Sequence, residues 1–376
     1  LVVVALSKKI ANQDLAVADN HSKTLVQLLD LVALGTVCDV VPLTGLNRAF
    51  VRQGLSIMSK THNVGLKALL DFLSVKDRIT PYHLGFVLGP RVNAGGRVGK
   101  ASLGAELLTC DDYDRAYEIA AMLDSFNTER KLIEANVLKD ALEQAASIKE
   151  SNCIVVAGQG WHQGVIGIVA SRIQEKYNKP SIVISFDSND LGKASCRSIE
   201  GVNIGQIISK AYQDGILLAG GGHAMAAGFS LVKDKLEELK YFLESNISKD
   251  EIKKNKNKVL TYESLLSANH VNIDFINKIN LFGPFGSGNE SPKFMLRNVI
   301  ITDVNVFQSL HISCLMKDAD NISSSFFKAI AFRAIESPMG ELLLAKGKVL
   351  NLIVTLGINY WNNLQKPEAV IIDIIE

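Results

Sequence analysis

The chain has almost no net charge. Its 40 Lys and Arg stand against 39 Asp and Glu, a formal +1 over 376 residues. That excludes a uniformly basic field, so any contact with a polyanion must come from a local patch. Cysteines are few and odd in number: Cys38, Cys110, Cys153, Cys196 and Cys314, far apart and without a C-x-x-C pair. This argues against a disulfide framework or a zinc ribbon and fits a reducing, cytoplasmic setting. No apolar run is long enough to span a bilayer, and no membrane partner is expected. The opening LVVVAL is too short for a signal-peptide core and has no basic segment before it. It reads as the middle of a buried element. With Leu in place of Met at position 1, a missing upstream portion is expected.

What is present is ordinary for a folded protein. Hydrophobic residues make up 47% and charged residues 21%, and the length predicts two or three domains. Residues 1–110 read as mainly helical, with an apolar stretch over 25–34 ending at Gly35. Residues 111–147 carry helical periodicity from Ile119 to Leu142, with Asp111, Asp112 and Asp114 at the end where the helix dipole favours acids. A helix of that length predicts a strut between domains. Residues 152–248 alternate: strands at 153–157, 181–186 and 194–199, helices at 165–177, 204–212 and 233–245. That pattern predicts an α/β domain. The polar, lysine-rich stretch 248–258 reads as a solvated linker, with a phosphate-tracking strap as the sharper alternative. Beyond it, segments 294–306, 311–316, 326–332, 349–358 and 369–375 predict five strands, a number that suits an OB-type barrel. The whole is an α/β, multi-domain fold. Its expected divisions are 1–110, 111–150, 151–248 and 259–376.

Five local motifs carry chemistry. Asp39 sits in GTVCDVVPL, an acid among apolar residues that is costly to bury unless paired or metal-bound; a turn Asp is the plainer alternative. Asp14, Asp19 and His21 are close in sequence but sit in a polar, loop-like stretch. The run 89–100, GPRVNAGGRVGK, offers Arg91, Asn93 and Arg97 among glycines, able to form a concave anion-binding turn or merely a surface loop. It is not a Walker A motif, because Ala94 and Ala101 occupy required Gly and Ser/Thr positions. The run 158–167, GQGWHQGVIG, joins a strand to a helix and places His162 and Gly164 where phosphate meets a helix N-terminus. Gln163 stands where a dinucleotide fingerprint needs glycine, so a packing turn is the alternative. Ser195 and Arg197, at a strand end, suit a terminal phosphate. Gly220, Gly221 and Gly222 before His223 read as a loop whose backbone N–H groups could approach a phosphate closely.

In order and separation, GTVCDVVPL, GPRVNAGGR, GWHQGVIGIVASR, SCRS, GGGHAMAAG and GPFGSGN resemble the RecJ exonucleases of the DHH phosphoesterase superfamily. The resemblance covers nearly the whole chain. It implies the C-terminal part of a DHH catalytic domain, a connecting helix, a DHH-associated substrate-binding domain and an OB domain. It implies 5′→3′ hydrolysis of single-stranded DNA in recombination and repair, with Mn2+ or Mg2+. It makes Asp39 a metal-ligating acid and Arg91, Asn93 and Arg97 an active-site loop. His162, Gly164, Ser195, Arg197, Gly221, Gly222 and His223 become groups that hold a 5′ phosphate. Single-strand-binding protein and a helicase are the implied protein partners. The family's earlier metal motifs would precede residue 1, so this chain alone is expected to be incomplete and inactive. The alternatives are a non-catalytic single-strand-binding or scaffold subunit and a phosphodiesterase acting on short oligonucleotides. In the last domain, Tyr360 and Trp361 are the candidates for stacking on bases, while Phe332, in an apolar run, is expected in the core.

Overall fold

The computed structural model describes residues 25–75, 78–148, 151–250, 252, 259–321, 324–361 and 364–375. The opening LVVVAL, the group Asp14, Asp19 and His21, most of the lysine-rich stretch and the side chain of Trp361 fall outside the described residues. In chain order the helices α1 Leu29–Cys38, α2 Gly45–Met58, α3 Val64–Phe72, the π-helical α4 His83–Leu88, α5 Gly89–Val92, α6 Gly95–Val98, α7 Leu103–Leu108 and α8 Tyr113–Ser147 come first. Next follow β1 Ile154–Gln159, α9 Gln163–Tyr177, β2 Ser181–Phe186, β3 Leu191–Arg197, α10 Ile204–Gln213, β4 Ala219–His223, β5 Ala226–Val232 and α11 Leu236–Asn246. The last stretch holds β6 Ser264–Leu266, α12 Ile273–Asn280, β7 Phe294–Phe307, β8 His311–Asp318, β9 Phe327–Ala331, α13 Pro338–Leu343, β10 Val349–Trp361 and β11 Leu364–Ile375. The protein is α/β and falls into two compact units. One is drawn from Leu1–His62, Ser74–Gly89 and Leu260–Glu376, the other from Asn63–Leu73 and Pro90–Val259.

In the second unit, α8 begins where Asp112 accepts from the Arg115 N–H at 2.9 Å, which satisfies one of the helix's orphan donors. The helix runs 35 residues without a proline. Beyond it lies a five-stranded sheet in the order β1-β2-β3-β5-β4, with β1 and β2 parallel and the remaining pairs antiparallel. One face buries Ile182, Ile184, Cys196, Phe229 and Leu231 with residues of α10 and α11. The other buries Ile154, Val156 and Val183 beneath α9 and the C-terminal half of α8. Truncating a fully buried core residue such as Ile208 or Leu231 to Ala would cost about 2–5 kcal/mol.

In the first unit, the strands β10-β11-β9-β8-β7 form a run that closes on itself through β7 and β10, with β6 added beside β7. β9 and β11 are parallel, and the other four pairs of the closed ring are antiparallel. A closed five-stranded ring with α13 between its third and fourth strands is an OB-type barrel. Its core is apolar throughout, from Leu296 and Ile312 to Leu352 and Ile371. Two motifs that are far apart in sequence meet in this unit. The Leu43 N–H donates to the Ser287 carbonyl at 2.6 Å, and a Cβ on Gly288 would stand 3.0 Å from Pro42 Cβ. Arg48 on α2 donates to the Phe282 carbonyl and Arg52 to that of Leu281, which caps the exit of α12. GTVCDVVPL and GPFGSGN are therefore partners in one joint.

Three local expectations need correction. The apolar stretch does not stop at Gly35. Helix α1 runs on to Cys38, because Gly35 is tolerated inside a helix whose apolar residues continue. The glycines 220–222 are not a loop. They form β4, paired residue by residue with β5. Phe332 is 55% exposed, not core: β9 ends at Ala331, and the ring lies edge-on against His311 beyond the last paired residue.

Candidate functional site

The candidate site is built in the second unit, where α6, the start of α9 and strand β3 meet. Alternation along β3 puts Gly192, Ala194 and Cys196 into the core and Lys193, Ser195 and Arg197 on the opposite face. Arg197 Nη1 donates to Ser195 Oγ at 3.2 Å and to its neighbour's carbonyl at 2.8 Å, which fixes the guanidinium along the strand. Helix α9 approaches this face closely because position 167 is glycine. A Cβ there would stand 3.1 Å from Ser195 Oγ and 3.2 Å from Arg197 Nη2. Position 164 is just as constrained. A Cβ on Gly164 would lie 2.1 Å from the Arg97 carbonyl oxygen, and Arg97 Nη1 donates back to the Gly164 carbonyl at 3.2 Å. The two glycines, three residues apart on one helix face, let α6 and β3 both close on α9.

Between them opens a cleft of about 370 Å³, lined by Gly96, Arg97, Gln163, Gly167, Lys193 and Ser195 among others, with no Asp or Glu among the described lining residues. Arg97 is held below the usual guanidinium range first by partial burial, then by the charge of Arg130, with Arg197 adding to it and Glu134 opposing. Arg197 is lowered by burial. Both remain cations, and crowded cations around a cleft without an acid suit an anion with several oxygens.

The floor beside the cleft is bare. Ser195 pairs with Gly228 and Gly228 with Gly221, while Arg197 pairs with Ala226 and Ala226 with His223. Both rows lie on the same sheet face, and Gly221 has nothing within 4 Å of where its Cβ would be. His223 stands exposed two strands from Arg197, about 10 Å at ordinary strand spacing.

The other expected residues fall differently. His162 is the N-cap of α9, and its Nδ1 accepts the Gly164 N–H at 3.1 Å, so that N–H is already engaged. Arg91 is tied to Asp124 at 2.7 Å. Asn93 is exposed. Asp39, in the other unit, is the exposed C-cap of α1. Among the described residues no group of three or more His, Cys, Asp or Glu could hold a metal ion. One exposed carboxylate does not hold a hard divalent cation, so the residues described do not by themselves fit a metal centre. Lys193 and Gly167 were missed. The period-two pattern of LGKASCR places Lys193 on the face of Ser195 and Arg197 and was the available signal.

A second surface lies on the barrel of the first unit. A hollow of about 670 Å³ is lined by Asp303, Asn305, Phe326, Lys328, Leu364 and Lys366, among others. Phe326 is 56% exposed, with Lys317 Nζ 5.6 Å from its ring centroid. Tyr360, near the end of β10, is exposed as well. This hollow is the larger of the two, but its charges are mixed and Lys328 is paired with Glu368 at 3.3 Å. The convergent cations are in the smaller cleft.

Comparison with known proteins places these features. Residues 150–249 match the DHHA1 domain, and residues 262–373 match the RecJ OB domain. The chain is 31% identical over 353 residues to the single-stranded-DNA-specific exonuclease RecJ of Bacillus subtilis, covering 92% of this chain and 44% of that one. It is 41% identical over 222 residues to the Escherichia coli protein of the same name, covering 57% and 38%. The crystal structure of Thermus thermophilus RecJ with Mn2+ superposes with a TM-score of 0.75 at 26% identity, over 93% of this chain and 50% of that one. The same protein has also been solved with Mg2+. The chain thus spans less than half the length of these two curated relatives.

Proposed function

From a chain of the RecJ type, we propose the end-gripping and strand-holding portion of a 5′→3′ single-stranded-DNA exonuclease of recombination and repair. Its divisions are the C-terminal part of a DHH domain (1–110), a connecting helix (111–150), a substrate-binding domain (151–248) and a strand-binding barrel (259–376). The single observation that carries the reading is the acid-free cleft lined by Arg97, Lys193 and Ser195, with Arg197 bonded to Ser195. A 5′ phosphate seated there accepts from the Ser195 hydroxyl and from the two guanidiniums. The bare glycine floor leaves room for the sugar that follows. His223, at the far edge of that floor, meets the next phosphate or its sugar. Gly164 and His162 serve by packing and capping, and Gly222 by strand pairing. Arg91, with Asn93 beside it, holds the α5–α6 turn against α8 through Asp124.

Divalent metal belongs to this reading as chemistry supplied elsewhere. Mn2+ or Mg2+ would activate water and neutralise the phosphodiester. Asp39 would be one ligand of a centre whose other ligands are not among the described residues, and no hydrolytic step is assigned to this chain alone. Single-strand-binding protein and a helicase are proposed as partners on the family's account only.

The test is binding of short single-stranded oligonucleotides with a 5′ phosphate or a 5′ hydroxyl. Arg197→Ala should weaken the phosphorylated strand by about ten-fold or more, the worth of a charge-assisted hydrogen bond, and leave the hydroxyl strand little changed. Equal loss on both ends would place Arg197 on an internal phosphate and remove the end-reading role.

A further inference from the structure

Helix α8 carries a buried cation. Arg130 is 9% exposed. Its Nη1 donates to Glu134 Oε2 at 2.6 Å and its Nη2 to Asn127 Oδ1 at 3.0 Å, while its Nε is buried with no partner. A guanidinium taken out of water so incompletely satisfied costs stability, and that calls for a reason. Its neighbours on the helix locate it. Leu123 meets α6 at Gly95, where a Cβ would lie 3.5 Å from Leu123 Cδ2, and the Phe126 ring covers Gly99. One turn beyond Arg130, Glu134 reaches Arg172 on α9 at 3.9 Å. Positions 123, 127, 130 and 134 follow helical spacing, so this face runs from α6 to α9. Arg130 thus stands behind the junction where Arg97 and Gly164 exchange contacts. The field it exerts on Arg97 agrees with that position.

We propose that Arg130 sets the charge selectivity of the cleft, making it prefer a dianionic phosphate monoester over a monoanionic phosphodiester. This rests on the phosphate reading of the cleft and gives it a specificity. Ser195, Arg97 and Arg197 reach non-bridging oxygens, which monoester and diester both possess; the two guanidinium charges favour the dianion, and Arg130 adds a third charge from behind them. A fixed charge that touches no phosphate oxygen acts in proportion to the ligand's charge. A monoester carries about −1.5 to −2 at pH 7, while a diester carries about one negative charge. A true 5′ end is a monoester and every internal phosphate is a diester. Arg130 therefore tells the end of a strand from its middle. Glu134, its partner, tempers the same field.

The test uses the full chain and three short oligo-dT ligands, ending in a 5′ phosphate, a 5′ methyl phosphate or a 5′ hydroxyl. The methyl phosphate keeps the tetrahedral oxygens with a single charge, so no change of pH is needed and His162 and His223 are left undisturbed. Wild-type affinity is expected to fall in the order phosphate, methyl phosphate, hydroxyl. In Arg130→Gln the ratio of phosphate to methyl phosphate should drop by about ten-fold, the ratio of methyl phosphate to hydroxyl should drop by a comparable factor, and affinity for the hydroxyl strand should hold. Arg130→Lys, which keeps the charge, should retain most of the first ratio, and Glu134→Gln should raise it. Opposite signs from two neighbouring substitutions do not arise from damage to the fold. The proposal is overturned if the first ratio is unchanged in Arg130→Gln, or if Gln and Lys variants lose affinity for all three ends alike. Equal wild-type binding of all three ends would overturn the phosphate reading itself, and this inference with it.

Discussion

The part of the sheet face beside α9 and the outer face of the barrel bear different side chains. On the sheet, Lys193 and Ser195 line one small cleft beside glycines, and Arg197 is bonded to Ser195. On the barrel, Phe326, Leu315, Leu364 and Tyr360 are spread over several strands, with lysines between them, some already paired. A group that occurs once per strand, such as a terminal phosphate, is best met by fixed donors whose positions are over-determined. A group that repeats with variable identity, such as a base, is best met by apolar faces that accept any partner. The function proposed above divides the labour accordingly: the sheet would read where a strand begins, and the barrel would hold whatever follows.

The largest effect belongs to Gly164→Val. Its Cβ would stand 2.1 Å from a backbone oxygen, which cannot swing aside, and the branched side chain adds more bulk. A loss of about 3 kcal/mol in stability is expected, the upper part of the overpacking range. Chemical denaturation measures it. Preference for a 5′ phosphate should vanish in the same variant, since Arg97 is displaced with α6. If the preference survives the loss of stability, the junction of α6 with α9 is not part of the cleft's reading of the end.

Lys193→Gln is milder. Lys193 lines the cleft on an exposed side chain, so screening limits its contribution. Affinity for a phosphorylated strand should fall by about five-fold, and the slope of log affinity against log salt should shrink by about 0.7, the loss of one single-strand phosphate contact. Titrations at several salt concentrations give both numbers. A lower affinity with an unchanged slope would mean that Lys193 acts by shaping the cleft and not by its charge.

How far these features could be read from sequence depended on how local their causes are. The long helix α8 was legible because its periodicity and its acidic start lie within one segment, and Asp112 caps it. The β-rich end was legible from its run of strand-like segments with short connections; four of the five strands expected are longer in the structure, β10 and β11 reaching 13 and 12 residues, and β9 is shorter. Arg91 was illegible, since its partner Asp124 lies 33 residues further on and only packing brings the two together. The glycine triplet misled for a related reason. Glycine is a turn residue by local preference, and pairing with β5 overrides that preference here. The close backbone approach at position 164 comes from packing between distant segments, which no single sequence carries. Arg130 sat unnoticed inside a helical pattern, because burial, not spacing, marks it.

The smallest effect tests the barrel's half of the comparison. Phe326 is 56% exposed and precedes β9, so truncating it removes little packing. Its ring carries the Lys317 ammonium at 5.6 Å, which holds a cation beside an aromatic face. A base stacking on that ring would gain at the low end of the usual range, about 1 kcal/mol, or roughly five-fold in affinity. Phe326→Ala should therefore weaken oligo-dT by about five-fold while the melting temperature stays nearly constant. The decisive feature is symmetry between ends: the loss should be equal for strands with a 5′ phosphate and a 5′ hydroxyl, because the barrel does not read the end. Tyr360→Ala should behave in the same way if the strand crosses to β10. A loss confined to phosphorylated strands would mean that barrel and cleft act as one site, and the division of labour would fail. No loss in either variant would remove this face of the barrel from DNA binding and leave it to a protein partner.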